Sequence, residues 1–355
     1  MARHSDAFVT HLQTLASRNR GAMAALRHSL SFELGEDPRV YSYVERFTGI
    51  GTRVDAPRRL ALYAVAGLFA HHSTIASQSF ASALGELAAG RESASIEQRF
   101  IALLETDAES VVIHLRHALS LLVSEEIGFD YATLLDDLSL LLGHWNDDQA
   151  MSKVKQTWAR DYYQSALAEG GIDSDPAAFV AYLEKLVTQR DRSSLATLRR
   201  SLSFAPGDLP AAYPIVEPFV APGWSIRDSR RCARYLVAGI VALNPRVSEH
   251  QSFAAALGRV AHQRESGNIE GRFIALLGAD AENVADYLRH SARLMASTEV
   301  AFNPARLLTD LSTWLNPRVD PAWLDRIRQR WARDFYQPTQ TKSHPESQET
   351  PTKEA

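Results

Sequence analysis

Leu26-Arg-His-Ser-Leu-Ser-Phe32 returns as Leu198-Arg-Arg-Ser-Leu-Ser-Phe204, an offset of 172 residues. Arg99-Phe-Ile-Ala-Leu-Leu104 returns as Arg272-Phe-Ile-Ala-Leu-Leu277, and Trp158-Ala-Arg-Asp-Tyr-Tyr-Gln164 as Trp331-Ala-Arg-Asp-Phe-Tyr-Gln337, now at 173. Phe8-Val9 with Phe179-Val180, and Ser79-Phe80 with Ser252-Phe253, keep nearly the same register. Solenoid repeats run to about 20–50 residues, so a period this long means a duplicated domain. Copy one covers 6–164 and copy two 176–337, joined by a polar linker at 165–175. The tail at 338–355 has no apolar period, which predicts disorder. At 355 residues the chain is long enough for each copy to bury its own core.

Helix signals fill both copies. Asp37-Pro38, Asp175-Pro176, Asn303-Pro304 and Asp320-Pro321 each place a good N-cap before a proline at the first helical position. Ser95-Ile-Glu-Gln98 has capping-box spacing ahead of Phe100-Ile-Ala-Leu-Leu104. Asp107 and Asp280 precede segments with helical apolar spacing, such as Val111, Leu115, Leu119 and Leu122. No segment alternates with a period of two. The expected fold class is all-α, two tandem compact helical bundles with eight or nine helices per copy.

Catalysis finds little support. Asp136-Asp137 and Asp147-Asp148 could hold a magnesium ion. Copy two, however, has Thr309-Asp310 in place of the first pair, and helix caps or solvated faces explain both. His71-His72 has no partner at metal spacing and reads as surface. Cys232, the single cysteine, reads as structural and fits a reducing compartment. No glycine-rich loop follows a strand. The expectation is a cytoplasmic protein with no catalytic residue, metal, cofactor, membrane contact or small-molecule substrate; the N-terminus lacks a signal-peptide core.

Charge separates the copies. Copy one has 14 Lys and Arg against 20 Asp and Glu; copy two has 21 against 16, almost all of the basic residues being arginine. Arg230 and Arg234 lie one helical turn apart, as do Arg289 and Arg293, with His290 alongside. Arg326, Arg330 and Arg333 share a face of the last helix. Such rows match phosphate oxygens along a nucleic-acid backbone. They can equally be wet faces paired with carboxylates.

These recurring residues carry a resemblance. In order they are Leu-Arg-His/Arg-Ser-Leu, then Pro57-Arg-Arg59 or Ser229-Arg-Arg231 opening an apolar helix, then Ser79-Phe-Ala-Ser-Ala-Leu-Gly85. Ile96-Glu-Gln-Arg-Phe100 and the terminal Trp-Ala-Arg-Asp-Tyr/Phe-Tyr follow. The chain resembles the CasB family, the small subunit of the type I-E CRISPR Cascade surveillance complex. The likeness covers each copy nearly end to end. It implies a non-catalytic subunit whose partners are other Cascade subunits, the CRISPR guide RNA and target DNA, including the displaced non-target strand.

Carried onto matching positions, the resemblance implies nucleic-acid contacts at Arg27, Arg58, Arg59, Arg99, Arg116 and Arg160 in copy one. In copy two it implies them at Arg199, Arg200, Arg230, Arg231, Arg272, Arg289 and Arg333, with Arg234, Arg293 and Arg330 added by proximity. For Arg99 and Arg272 an internal ion pair and a phosphate contact both stay open. Trp158, Tyr162, Trp331 and Phe335 read as core. The acidity of copy one departs from the family pattern, as does the joining of two copies in one polypeptide. The other reading is a duplicated helical scaffold that binds protein partners only.

Overall fold

A computed structural model of the chain describes residues 4–91, 94–143, 148–166, 174–221, 223–264 and 267–337. The tail 338–355 and most of the linker lie outside the described residues, as does Asp147.

Among the described residues the chain is all helical, and the duplication is visible element by element. Copy one forms α1 (His4–Arg18), α2 (Arg20–Ser29), α3 (Tyr41–Val44), α4 (Pro57–His71) and α5 (Phe80–Arg91). It continues with α6 (Ala94–Glu105), α7 (Val111–Val123), α8 (Tyr131–Leu141) and α9 (Asp148–Ala166). Copy two repeats the order as α10 (Pro176–Thr188), α11 (Arg192–Ser201), α12 (Tyr213–Val216), α13 (Ser229–Leu243) and α14 (Phe253–Arg264). It ends with α15 (Gly267–Gly278), α16 (Val284–Ala296), α17 (Pro304–Trp314) and α18 (Pro321–Tyr336). Short 3-10 turns at Pro38–Val40, Glu45–Phe47, Pro210–Ala212 and Glu217–Phe219 flank the two four-residue helices.

The caps act as their residue types require. Asp175 accepts from the Ala177 amide, Asn303 from Arg306 and Asp320 from Ala322, each satisfying a donor with no partner inside its helix. Asp37 caps a 3-10 turn instead of an α-helix, because the chain turns again at Tyr41. The capping box at Ser95 does not form: α6 starts at Ala94, so Ser95 is already inside the helix.

The chain divides into two compact units, Met1–Gly239 and Ile240–Ala355, with the division falling inside α13. In the first unit α4 is buried from Ala61 to Ala70 and packs against α2 and α8, while α5 lies along α9. Trp158 and Tyr162 of α9 are core residues, and Tyr162 stacks on Phe100 at 4.2 Å. In the second unit α14 lies along α18, with Trp331 and Phe335 buried and Phe335 stacked on Phe273 at 4.0 Å.

Two polar ties recur in both copies. Ser79 donates to Asp161 at 2.9 Å, and Ser252 donates to Asp334 at 2.7 Å. His72 is buried against the Ile127 carbonyl, which corrects its reading as a surface residue. Asn244 makes the equivalent bond to the Val300 carbonyl at 2.9 Å.

Candidate nucleic-acid interface

The sixteen arginines split by what their guanidinium groups meet. Arg59, Arg231 and Arg234 point inward and are buried. Arg59 Nε donates to Glu45 at 2.9 Å and Nη1 to the Val54 carbonyl at 2.8 Å, while Tyr63 donates to the same Glu45 oxygen at 2.7 Å. Copy two repeats the lock with Arg231, Glu217, the Ile226 carbonyl and Tyr235. There the guanidinium is 0% exposed. Burial opposes the Arg231 charge, but Glu217 outweighs it and holds the guanidinium above its ordinary range. A buried ion pair of this kind positions the chain and offers nothing to a phosphate.

Arg234 shares a helix face with Arg230, as its spacing predicts, but both pack on Trp224, at 4.6 and 4.3 Å. Arg234 Nη2 donates to the Ser174 carbonyl at 2.6 Å, and burial lowers its pKa to about 10. Arg230 is paired with Asp228 at 2.7 Å.

A second group is neutralised nearer the surface. Arg58 meets Asp136 at 3.4 Å, Arg160 meets Asp161 at 2.9 Å, Arg289 pairs with Asp286 and Arg330 with Asp310. The row expected on α18 is therefore broken, since Arg326 also lies over Trp323 at 4.8 Å. Arg333 stays exposed while Asp334 pairs with Arg306 at 2.8 Å, a residue that copy one replaces with Thr133.

The third group is exposed: Arg27, Arg99, Arg116, Arg199, Arg200, Arg272, Arg293 and Arg333. In copy one Arg27 and Arg116 lie near His71, while Arg99 stands apart on α6. Arg99 lines an open cleft of about 410 Å³ between α6 and α7, together with His114 and His117. Arg116 stands on the same helix as the two histidines and reaches the Leu30 carbonyl at 3.5 Å. Arg27 reaches the Ala70 carbonyl at 2.7 Å. Burial lowers the His71 pKa, and the charges of Arg27 and Arg116 lower it further. Among the described residues Arg27, Arg99 and Arg116 form no ion pair, so an acidic copy still presents unneutralised arginines at its surface. The histidines were missed in the sequence because they add nothing to a formal charge count; their place three residues apart on the Arg116 helix was the available signal.

The corresponding positions in copy two are Arg272 on α15 and Tyr287, His290 and Arg293 on α16, and these two helices also pack together. Copy two thus replaces Ser120 with Arg293 and His114 with Tyr287. Arg272, Tyr287 and Arg293 are all exposed there.

Of the paired carboxylates in copy one, Asp137 serves the core, while Asp136 lies at the surface beside Arg58 and the Asp147-Asp148 side chains are outside the described residues. Asp137 accepts from the Trp158 indole at 2.6 Å, and Asp310 does the same for Trp331 at 2.6 Å. Among the described residues no three His, Cys, Asp or Glu side chains come together as metal ligands. Cys232 lies 3.8 Å from the Ile226 carbonyl, and burial pushes its thiol pKa up. Asp310 has Arg330 beside it, whereas copy one has Thr157 at that position. Burial therefore raises the Asp137 carboxyl to about 6, with the Trp158 bond opposing.

A carboxyl raised in the folded state contributes stability at low pH that is lost as pH rises through about 6. Asp137→Asn keeps the acceptor without the charge. Its stability relative to the parent chain is expected to rise by about 2 kcal/mol between pH 4 and pH 7, measured by urea unfolding. A constant difference across that range would show that the carboxyl titrates normally.

Comparison with known proteins follows the two copies. A family model described as CRISPR-associated protein Cse2 matches residues 22–163 and again 194–336. A curated relative, the CRISPR-associated protein Cse2 of Thermus thermophilus, is 38% identical over 162 residues, covering 44% of this chain and 88% of the relative. The crystal structure of CasB from Thermus thermophilus is 38% identical, covering 45% of this chain and 97% of that one with a TM-score of 0.38. That of M. ruber CasB is 29% identical, covering 48% and 98% with a TM-score of 0.40. No described helix is long and apolar enough to cross a membrane.

Proposed function

The chain belongs to the CRISPR-associated Cse2 family, also known as CasB, and from that membership we propose that it is the non-catalytic small subunit of a type I-E Cascade complex. In this reading it braces the guide RNA–target DNA assembly and the displaced non-target strand, working in the cytoplasm beside other Cascade subunits. The two copies, 6–164 and 176–337, would take the place of two separate subunits. Joining them makes docking of the second copy intramolecular, so effective concentration favours it.

The observation that carries the proposal is the set of exposed arginines on two equivalent helix pairs. Arg99 and Arg116 lie on α6 and α7, and Arg272 and Arg293 on α15 and α16. Contacts to phosphate carry no base information, so holding a strand this way is independent of its sequence.

The test is R-loop formation by guide-loaded complex containing Arg99→Ala, Arg116→Ala, Arg272→Ala and Arg293→Ala together. R-loop lifetime is expected to fall at least about tenfold at physiological salt, with a salt dependence shallower by about 0.7 per lost single-strand contact. Unchanged lifetime and slope would sink the strand-holding role. The many arginines tied up in internal pairs favour a scaffold that binds only protein; that reading predicts normal R-loops from the quadruple variant.

A further inference from the structure

Within the first compact unit, copy one already touches the beginning of copy two. α9 packs against the turns Pro210–Ala212 and Glu217–Phe219, and α6 packs against the first of these. Ser152 donates to Asp208 at 2.7 Å, and the Gln156 amide donates to the same carboxylate. Arg231 Nη1 in turn donates to the Gln156 carbonyl oxygen at 2.9 Å. Glu217 lies close enough to help raise the Tyr163 phenol.

This junction joins the late helices of one copy to the early turns of the next, so its two halves are different surfaces. Each half exists a second time in the chain. The position of Tyr163 is occupied in copy two by Tyr336, which makes the equivalent bond to Glu270 at 2.7 Å. Yet Tyr163 is 4% exposed and Tyr336 is 56% exposed. Ile274 and Gln329 are likewise exposed where Ile101 is half-buried and Gln156 buried. On the other side, Tyr213 is 1% exposed in the junction, and its equivalent Tyr41 is 37% exposed. Glu45 of copy one is similarly open where Glu217 is closed. A head-to-tail contact that leaves both halves displayed can propagate from chain to chain, because nothing in its symmetry closes it.

Two substitutions at its centre oppose that. The position of Ser152 is Asp325 in copy two, and the position of Asp208 is Glu36 in copy one; both are exposed. A hydroxyl–carboxylate hydrogen bond inside the chain becomes carboxylate against carboxylate between chains. We infer that the Ile274–Gln329–Tyr336 face is a docking surface for the Tyr41–Glu45 face of a second copy of this chain, held off by Asp325 facing Glu36. Repulsion and desolvation of that pair, partly offset by Arg328 at 3.8 Å from Asp325, oppose an otherwise matched partner.

The experiment is sedimentation velocity on the full chain over a wide concentration range, comparing the parent with Asp325→Ser combined with Glu36→Asp, which restores the internal pairing. The parent is expected to remain monomeric. The double variant is expected to shift to faster sedimentation with concentration, passing beyond dimer. Adding Tyr336→Ala should abolish the shift, and circular dichroism should show the same helix content in all three. A double variant that stays monomeric would show that the faces do not match. A parent that associates as strongly as the variant would show that Asp325 and Glu36 hold nothing off. Growth unaffected by Tyr336→Ala would place the contact elsewhere.

Discussion

Alanine at Arg231 is expected to destabilise the chain by about 3–5 kcal/mol, seen as a large fall in the urea midpoint, because it strands a buried carboxylate. Glu217 is itself only 1% exposed and accepts from Arg231 and Tyr235. Removing the guanidinium leaves that buried charge with the Tyr235 phenol as its one remaining side-chain donor among the described residues. It also frees Gln156, which links α9 to Arg231. Arg59→Ala, the same change in copy one, is expected to cost about 1 kcal/mol, because water still reaches Glu45. Arg231→Met with Glu217→Leu should cost less than Arg231→Ala alone, since no charge is left unpaired. Equal losses from Arg59→Ala and Arg231→Ala would show that copy one does not seal the copy-two lock. Alanine at Arg231 therefore reports on folding, which makes it unsuitable for testing a DNA path.

Alanine at Gly85 or Gly258 is the second large effect, about 3 kcal/mol each. A Cβ at Gly85 would fall 2.2 Å from the Tyr162 carbonyl oxygen, and one at Gly258 would fall 2.2 Å from that of Phe335. These neighbours are backbone, so α5 must move off α9, and α14 off α18. The movement would open the Phe100–Tyr162 and Phe273–Phe335 stacks. Better helix propensity returns at most about 1 kcal/mol. Gly67 makes a useful control. A Cβ there meets the Leu30 side chain at 2.5 Å, which can rotate away, so alanine should be tolerated with a loss near 1 kcal/mol. A Gly85→Ala chain with the parent's midpoint would mean that the helices are not in backbone contact.

The repeat narrowed the buried arginines to one of each adjacent pair without choosing between them. Neighbouring residues on a helix are about 100° apart, so Arg58-Arg59 and Arg230-Arg231 cannot both face water equally. Glu45, Arg59 and Tyr63 recur at the same spacing as Glu217, Arg231 and Tyr235, but Arg58 and Arg230 recur at it too, so the repeat does not mark which arginine turns inward. Charge counted by copy misled. The net acidity of copy one concealed the unneutralised Arg27, Arg99 and Arg116, because a sum over a sequence carries no position.

The amino-acid sequence by itself determined a duplicated, all-helical chain with its Asp175, Asn303 and Asp320 caps, its aromatic core positions and its family. Those properties depend on residues three or four apart, or on one stretch matching another. Only the tertiary structure decided which arginines reach solvent and which half of each copy is covered. Burial is set by partners far away in the chain, as when Gln156 closes over Arg231, and no local pattern encodes that distance.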